Sequence, residues 1–532
     1  MLDEKLHHGI LLALIRSFGV HMTCRMFLFS LLLTVLSSKS IFAFDPVEAS
    51  IQELQVELDS GNITSVDLVD LYLARIQAFD QAGPRLNSIA FINPQAREEA
   101  RALDLERRQK GARSPLHGIP VLVKDNYETL GMPTTAGSKS LAGFAPDHDA
   151  ELVARLRTAG AVILGKTNMH EFAFGTETWG SAFGVTRNPY DPTRNPGGSS
   201  GGTGAAVAAN FAVAGLGSDT CGSIRIPAAH NALVGLRGTQ GASSRDGIIP
   251  LSSTQDIGGP LARSVTDLAL LLDVTAGYDP DDPQTAVSVG HLEGSYLDGL
   301  SLEALRGKRI GVVSDLRYQD PEDEEVARVF DTAMEQVRAL GAETVSVSLP
   351  ILSAEVFQRM DGYYLLMHDA GRDLDFYLST RPGAPVHSLR EIIETQLAIP
   401  QVQERLQAAL SLQSDPKEIY LEEFYKRARL GLAIFQIMAT NRLDALAYPT
   451  MRQVAAEVSE EQSGETCRLA SNSGFPAVTV PAGFTAAGMP VGLEFLGRPW
   501  DDARLLGLAF AFEQATRHRH PPELSKQYLG SE

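Results

Sequence analysis

The chain has 532 residues, 44% of them hydrophobic, and a formal net charge of −19. That length allows a large core, arranged either as one big α/β domain or as two domains. So acidic a chain is unsuited to extended contact with nucleic-acid phosphates, and no nucleic-acid partner is expected.

The first segment stands apart. Met26-Phe-Leu-Phe-Ser-Leu-Leu-Leu-Thr-Val-Leu36 is an apolar run behind His21 and Arg25, and Ser-Ser-Lys-Ser-Ile-Phe-Ala43 follows it. A basic start, an apolar stretch and a small residue at its end read as a signal peptide over residues 1–43, with Met22 and Met26 as alternative starts. The run is short for a bilayer span, and an uncleaved anchor is the weaker alternative. The expectation is an exported protein, periplasmic or secreted, with no stable membrane insertion after cleavage. Cys24 would leave with the signal. Cys221 and Cys467 remain, either paired in an oxidising compartment or kept as two buried thiols.

After the signal, Thr64-Ser-Val-Asp67 predicts a capping box opening an amphipathic helix through Leu68, Val69, Tyr72 and Ile76. Asn87 to Asn93 reads as a strand, and Pro94 introduces a charged helix from Gln95 to about Lys110. Gly118-Ile-Pro-Val-Leu-Val-Lys124-Asp-Asn126 predicts a buried strand with a lysine at its end. Desolvation lowers a lysine pKa and suits it as a base, whereas the bland reading is a lysine that snorkels to the surface.

Glu151 to Gly160 is a helix with a glycine stop, and Ala161-Val-Ile-Leu-Gly-Lys-Thr-Asn168 follows it. Residues Gly160–Thr167 fit the phosphate-loop expression, but Ala-Val-Ile-Leu between the glycines is itself a strand, so that reading is rejected. Gly198-Ser-Ser-Gly-Gly202 fits the nucleophile-elbow expression. The elbow needs an apolar strand before it, and Tyr190-Asp-Pro-Thr-Arg-Asn-Pro196 is not one. A Ser–His–Asp hydrolase using His117, His148, His170 or His230 is therefore the runner-up mechanism.

Asn195-Pro-Gly-Gly-Ser-Ser-Gly-Gly-Thr-Gly204 is nearly all Gly, Ser and Thr, and runs into the buried helix Ala205–Ala209. A glycine-rich turn at a helix N-terminus presents N–H groups and a positive dipole end to a developing negative charge. A short strand then delivers Ser218-Asp-Thr-Cys-Gly-Ser-Ile-Arg-Ile-Pro227. Downstream, Val265–Ala276 and Glu325–Gly341 read as helices, and Lys308–Val313 and Thr344–Leu349 as strands. Ser353–Arg442 reads as mostly helical, Asp444–Thr450 as a central strand, and Gln453–Thr466 as a polar mobile loop. Two further strand segments and a helix over Ala503–Thr516 close the chain.

The Gly197-Gly-Ser-Ser-Gly-Gly202 run, Asp219-Thr-Cys-Gly-Ser-Ile-Arg-Ile-Pro227 and Gly118–Asn126, in that relation, resemble the amidase signature family, which hydrolyses carboxamides with a Ser–cis-Ser–Lys triad. The resemblance implies a single large α/β/α domain over residues 44–532, with a mixed central sheet covered by helices. A variable helical region at about 353–442 would shape substrate access. Carried onto this chain, it implies Ser223 as nucleophile, Ser199 as bridging serine after a cis bond from Gly198, and Lys124 as base. Backbone N–H groups of Thr220, Cys221, Gly222 and Ser223 would hold the oxyanion. Ser200 would bond Lys124 or Ser199, and Asp219 with Arg225 would form an orienting ion pair or a plain structural one.

Ser244–Pro250 and Gln255–Ser264 resemble segments that line and close the site, the former nearest to peptide amidases. The implied reaction converts a small-molecule or peptide amide to an acid plus ammonia or amine, with no cofactor and no metal. A role like that of the glutaminase-type component of the tRNA-dependent amidotransferase is the alternative from another class. A third is a dead scaffold, against which the intact Lys124, Ser199 and Ser223 speak. Many family members carry Gly where this chain has Cys221. A cysteine nucleophile there lacks a placed base.

Overall fold

The structure is a computed structural model that describes residues 44–350 and 363–524. The expected signal peptide lies outside the described residues.

Strands β1 (Ile89–Ile92), β2 (Pro120–Lys124) and β3 (Val162–Thr167) precede two two-residue strands, β4 (Trp179–Gly180) and β5 (Gly184–Val185). Then come β6 (Ala214–Asp219), β7 (Val234–Arg237), β8 (Ile257–Ala262), β9 (Arg309–Val313) and β10 (Glu343–Val347). Strands β11 (Ala445–Pro449), β12 (Ala477–Phe484) and β13 (Pro490–Leu496) complete the set. Among the described residues, eleven of these form one sheet in the order β1-β3-β2-β6-β8-β7-β12-β13-β11-β9-β10, and β4 pairs with β5 apart from it. The sheet is mixed: β3–β2–β6 and β11–β9–β10 run parallel, and the other neighbours are antiparallel.

Strands β2, β3, β6, β7, β8, β11 and β13 are buried along their whole length. That burial requires cover on both faces, which is why these strands read as unbroken apolar or small-residue runs rather than alternating ones. Helices supply the cover, giving the α/β/α arrangement that the resemblance implied. Ala445–Pro449, within the segment read as a central strand, lies third from an edge rather than in the centre.

The capping box is present: Thr64 Oγ1 accepts from Asp67 N–H at 3.1 Å, and Asp67 Oδ2 accepts from Thr64 N–H at 2.9 Å, opening helix Ser65–Arg75. Gly165 to Thr167 lie inside β3, so the rejected phosphate loop is indeed a strand. The region expected to be helical contains helices Tyr363–Ser379, Leu389–Thr395, Pro400–Leu412 and Lys417–Thr440. The first three share a core in which Leu374, Leu389, Val402 and Leu406 pack with Leu141, Phe172 and Leu251 from the sheet side.

The glycine-rich stretch behaves differently from its reading as a turn. Helix Gly201–Ala208 begins inside it, and all eight of its residues are buried. Glycine is required there by close approach: a Cβ on Gly202 would lie 2.1 Å from the Asn168 carbonyl oxygen, and one on Gly201 would lie 2.3 Å from Thr178 Oγ1. Low helix propensity is overridden by packing that no larger residue permits. Gly202→Ala should therefore lower unfolding free energy by about 1–3 kcal/mol through overpacking. Denaturant melts of the two proteins measure this directly, and equal midpoints would contradict the contact.

Candidate active site

Strand β2 runs parallel between β3 and β6, with Val123 opposite Leu216. This register brings Lys124, at the C-terminal end of β2, abreast of the C-terminal end of β6. Lys124 is fully buried; its Nζ donates to Ser199 Oγ at 2.7 Å and to Ser218 Oγ at 2.9 Å. Asn126 Nδ2 also donates to Ser218 Oγ, at 3.0 Å. Burial pushes the Lys124 amine down to about 7, against Asp256 and Asp219, whose charges favour its protonated form.

The peptide bond between Gly198 and Ser199 is cis. Ser199 and Ser223 are both buried, and Ser223 lines a cavity of about 600 Å³. Ser200 N–H donates to the Ser223 carbonyl at 3.3 Å, tying the two serine loops together. Ser200 is not where the sequence put it. Its hydroxyl donates to the Ser218 carbonyl at 3.2 Å and accepts from Ser218 N–H at 3.3 Å, because the helix start faces the β6 backbone rather than the amine. Ser218 stands beside Lys124 instead.

The loop Thr220–Ser223 follows β6 directly. Gly222 has φ +88°, and a Cβ there would meet Ile226 Cδ1 at 2.6 Å, so only glycine fits. Its N–H donates to Asp219 Oδ1 at 2.7 Å. The expectation for Gly222 as an oxyanion donor is corrected on that ground: this N–H faces a carboxylate. Thr220, Cys221 and Ser223 all line the cavity.

Asp219 and Arg225 do pair, Oδ2 to Nε at 3.1 Å, within a larger buried group. Arg237 Nη1 lies 3.1 Å from Asp219 Oδ1, Arg225 also pairs with Glu494, and Tyr448 donates to Glu494 Oε1 at 2.8 Å. Burial alone would raise the Asp219 carboxyl, but Arg225 and Arg237 hold it well below the usual carboxylate range. Thr220 Oγ1 donates to Asp256, whose other oxygen accepts from Leu251 and Ser252 N–H at 2.8 and 2.9 Å.

The sequence reading missed Ser218, Asn126, Asp256, Arg237 and Glu494 as site supports. Ser218 and Asn126 sat inside quoted motifs, so the signal was there. Arg237 and Glu494 each belong to a glycine-containing run of buried strand, where a charge is costly unless paired; that anomaly was the available clue.

Beyond the serine loops, the cavity wall comes from Arg452 and residues 461–469, from Tyr363 and Leu366, and from Arg405. The helical region thus borders the site, as the resemblance implied. Leu251 and Gln255 line it too. The 244–250 stretch lies behind Lys124 instead: Glu128 N–H donates to the Gly247 carbonyl, and Ile249 N–H to the Asn126 carbonyl, each at 2.8 Å.

The polar 453–466 segment, expected to be a mobile loop, is fastened at several points. Asn195 N–H donates to the Ala456 carbonyl at 2.9 Å, Gln462 N–H to Glu177 Oε1 at 2.9 Å, and Arg452 N–H to the Gly464 carbonyl at 2.8 Å. Its polar groups serve as internal partners, which composition alone could not reveal. Cys221 and Cys467, left open by the sequence, form a disulfide with Cα atoms 5.2 Å apart.

Three of the four histidines of the runner-up mechanism are engaged with other groups. His117 Nε2 meets the Leu103 carbonyl, His148 meets Glu128 and Asp147, and His170 Nδ1 lies 3.3 Å from Glu177. His230 is buried, which pushes its ring down to about 4.

A profile of the Amidase family matches residues 67–506. A glutamyl-tRNA(Gln) amidotransferase subunit from Chloroflexus aurantiacus is 39% identical over 492 residues, 88% of this chain and 97% of that protein. Among solved structures, native peptide amidase from Stenotrophomonas maltophilia superposes with a TM-score of 0.84 at 40% identity, covering 91% of this chain and all of that one. An amidase family protein from Bacillus anthracis gives a TM-score of 0.81 at 34% identity, covering 90% of this chain and 92% of that one. The chain belongs to the amidase signature family and is an enzyme that hydrolyses the carbon–nitrogen bond of amides.

Proposed function

We propose that the protein is an exported amidase that hydrolyses linear carboxamides to an acid plus ammonia or amine through an acyl-serine. The observation that carries this reading is the buried, neutral-leaning Lys124 amine 2.7 Å from the Ser199 hydroxyl. A serine hydroxyl attacks an amide only once a base takes its proton. Lys124 takes the Ser199 proton as Ser199 takes that of Ser223, and Ser223 attacks the carbonyl carbon. The N–H groups of Thr220, Cys221 and Ser223 are left to hold the developing oxyanion, at about 3–4 kcal/mol per donor. Ser199 returns the proton to the departing nitrogen, and water releases the acid. Ser218 and Asn126 hold the amine in line, and the paired Asp219 steadies the loop from behind.

For the substrate, a cavity of about 600 Å³ walled by both charged and apolar side chains fits a peptide amide better than a short aliphatic amide. The likeness to peptide amidase supports the same choice. The reading as one component of a larger complex draws on the amidotransferase relatives. Turnover by the isolated chain separates the two.

Export is supported by the apolar 26–36 run and by a cysteine pair of the kind that persists in oxidising compartments.

On C-terminal peptide amides the isolated protein should release ammonia. Lys124→Ala, Ser199→Ala and Ser223→Ala should each lower kcat at least about a thousandfold, as for residues that act as a unit. Full activity of Ser223→Ala would overturn the assignment.

The pH profile has a fixed sign. The base works uncharged, so kcat/KM should rise with pH to a plateau above about 7, falling about tenfold per unit below it. A plateau extending down to pH 5 would exclude Lys124 as the base. N-terminal sequencing of the protein recovered outside the membrane should begin near residue 44; an intact 1–43 segment on a cytosolic protein would refute export.

A further inference from the structure

We propose that the Cys221–Cys467 bond is a positioning device for the reaction, coupling the loop that bears the oxyanion donors to the adjoining wall of the substrate cavity formed by residues 461–469. The inference rests on the reading of Ser223 as nucleophile and adds a requirement to it.

Cys221 lies two residues before Ser223 and lines the cavity. Its neighbours are each fixed from the protein side, Thr220 by Asp256 and Gly222 by Asp219. Those bonds hold the loop against the sheet. The side chain of Cys221 reaches the other way. It bonds covalently to Cys467, which lies within the cavity-lining stretch 461–469 and directly precedes helix Arg468–Ser473. Ser471 Oγ donates to Cys221 Sγ at 3.3 Å, and a Cβ on Gly222 would come within 3.0 Å of Cys467 Cβ, so loop and wall meet without slack.

Cys467 is 246 residues away from its partner in sequence, and its segment has its own anchors, to Asn195 and Glu177 at the far end and, beside Cys467, from Thr466 Oγ1 to the Pro449 and Thr450 carbonyls. With the bond intact, donor loop and wall keep one spacing, and a substrate held by the wall presents its carbonyl to the donors. With the bond open, the two sides are separately anchored. Displacements of about 1 Å at such a site cost rate steeply.

Half-buried Cys221 faces the cavity, so a small dithiol reaches it. One dithiothreitol supplies two electrons and two protons: the S–S bond breaks, two thiols form, and the reductant closes to its cyclic disulfide.

The test uses the full chain, with thiols counted after denaturation. Reduction to two free thiols should lower kcat on a peptide amide at least about tenfold, with oxidation restoring it. The midpoint of the pH profile should stay near 7, because the bond adds no charge beside Lys124. Cys467→Ser should show the same loss without reductant and no further loss with it; circular dichroism and a thermal melt establish that it is folded. Reduced enzyme with kcat within about twofold of the oxidised form overturns the proposal. So does a fully active Cys467→Ser, or a pH midpoint that climbs with the loss, since that signals water reaching Lys124 through general loosening. If Ser223→Ala is active, the nucleophile assignment fails first. If Ser223→Ala is dead and the reduced enzyme is fully active, only the coupling fails.

Discussion

A primary amine without water around it is the constraint on which the rest of the structure depends. Lys124 can sit at the end of β2 only because two hydroxyls and the ends of two parallel strands take the place of its hydration shell. The arrangement accepts a large desolvation cost for one group, and the cost is what makes that group useful as a base at neutral pH. The neighbouring features follow from it. Ser199 is presented by a buried helix start, Ser218 by the adjacent strand, and bulky side chains are excluded from the glycine run so that the helix can press against Asn168 and Thr178.

Charge behind the Ser223 loop is managed differently. Asp219, Arg225, Arg237 and Glu494 are all buried and partnered, two acids against two bases, joined further by Tyr448. Such a group adds little net stability over an apolar core, but it fixes geometry strongly because removing one member strands another. It holds the loop from the sheet side, while the polar segment 451–467 and the helical region frame the side where substrate enters. The chemistry is thus placed at the meeting of a rigid floor and a more variable wall.

Much of this was legible in the sequence, for identifiable reasons. Apolar runs such as Val121–Val123 and Val162–Leu164 announce buried strands, and Thr64 with Asp67 announces a helix start. The positions of Lys124, Ser199 and Ser223 followed from three motifs whose order and residue types matched one family. What stayed hidden were relations between distant residues. Nothing local to Arg237 or Glu494 says that they join one buried charge cluster, and nothing near Cys467 says that Cys221 lies beside it. The helix starting at Gly201 was hidden for another reason: its glycines answer to atoms on other elements, so intrinsic propensity pointed the wrong way. The polar 453–466 stretch misled similarly, since its hydrogen-bond partners lie far earlier in the chain, at Asn195 and Glu177.

The closing counter-charge has a consequence for how the enzyme comes into being. Glu494, on the penultimate element of the described chain, completes a cluster whose other charged members lie between residues 219 and 237. A polypeptide made or threaded from its amino end therefore carries the lysine and both serines long before the acid that balances Arg225 exists. Until β13 inserts between β12 and β11, the floor beneath the Ser223 loop carries an uncompensated positive charge. The charge group under that loop is therefore complete only when the last strand of the sheet is in place.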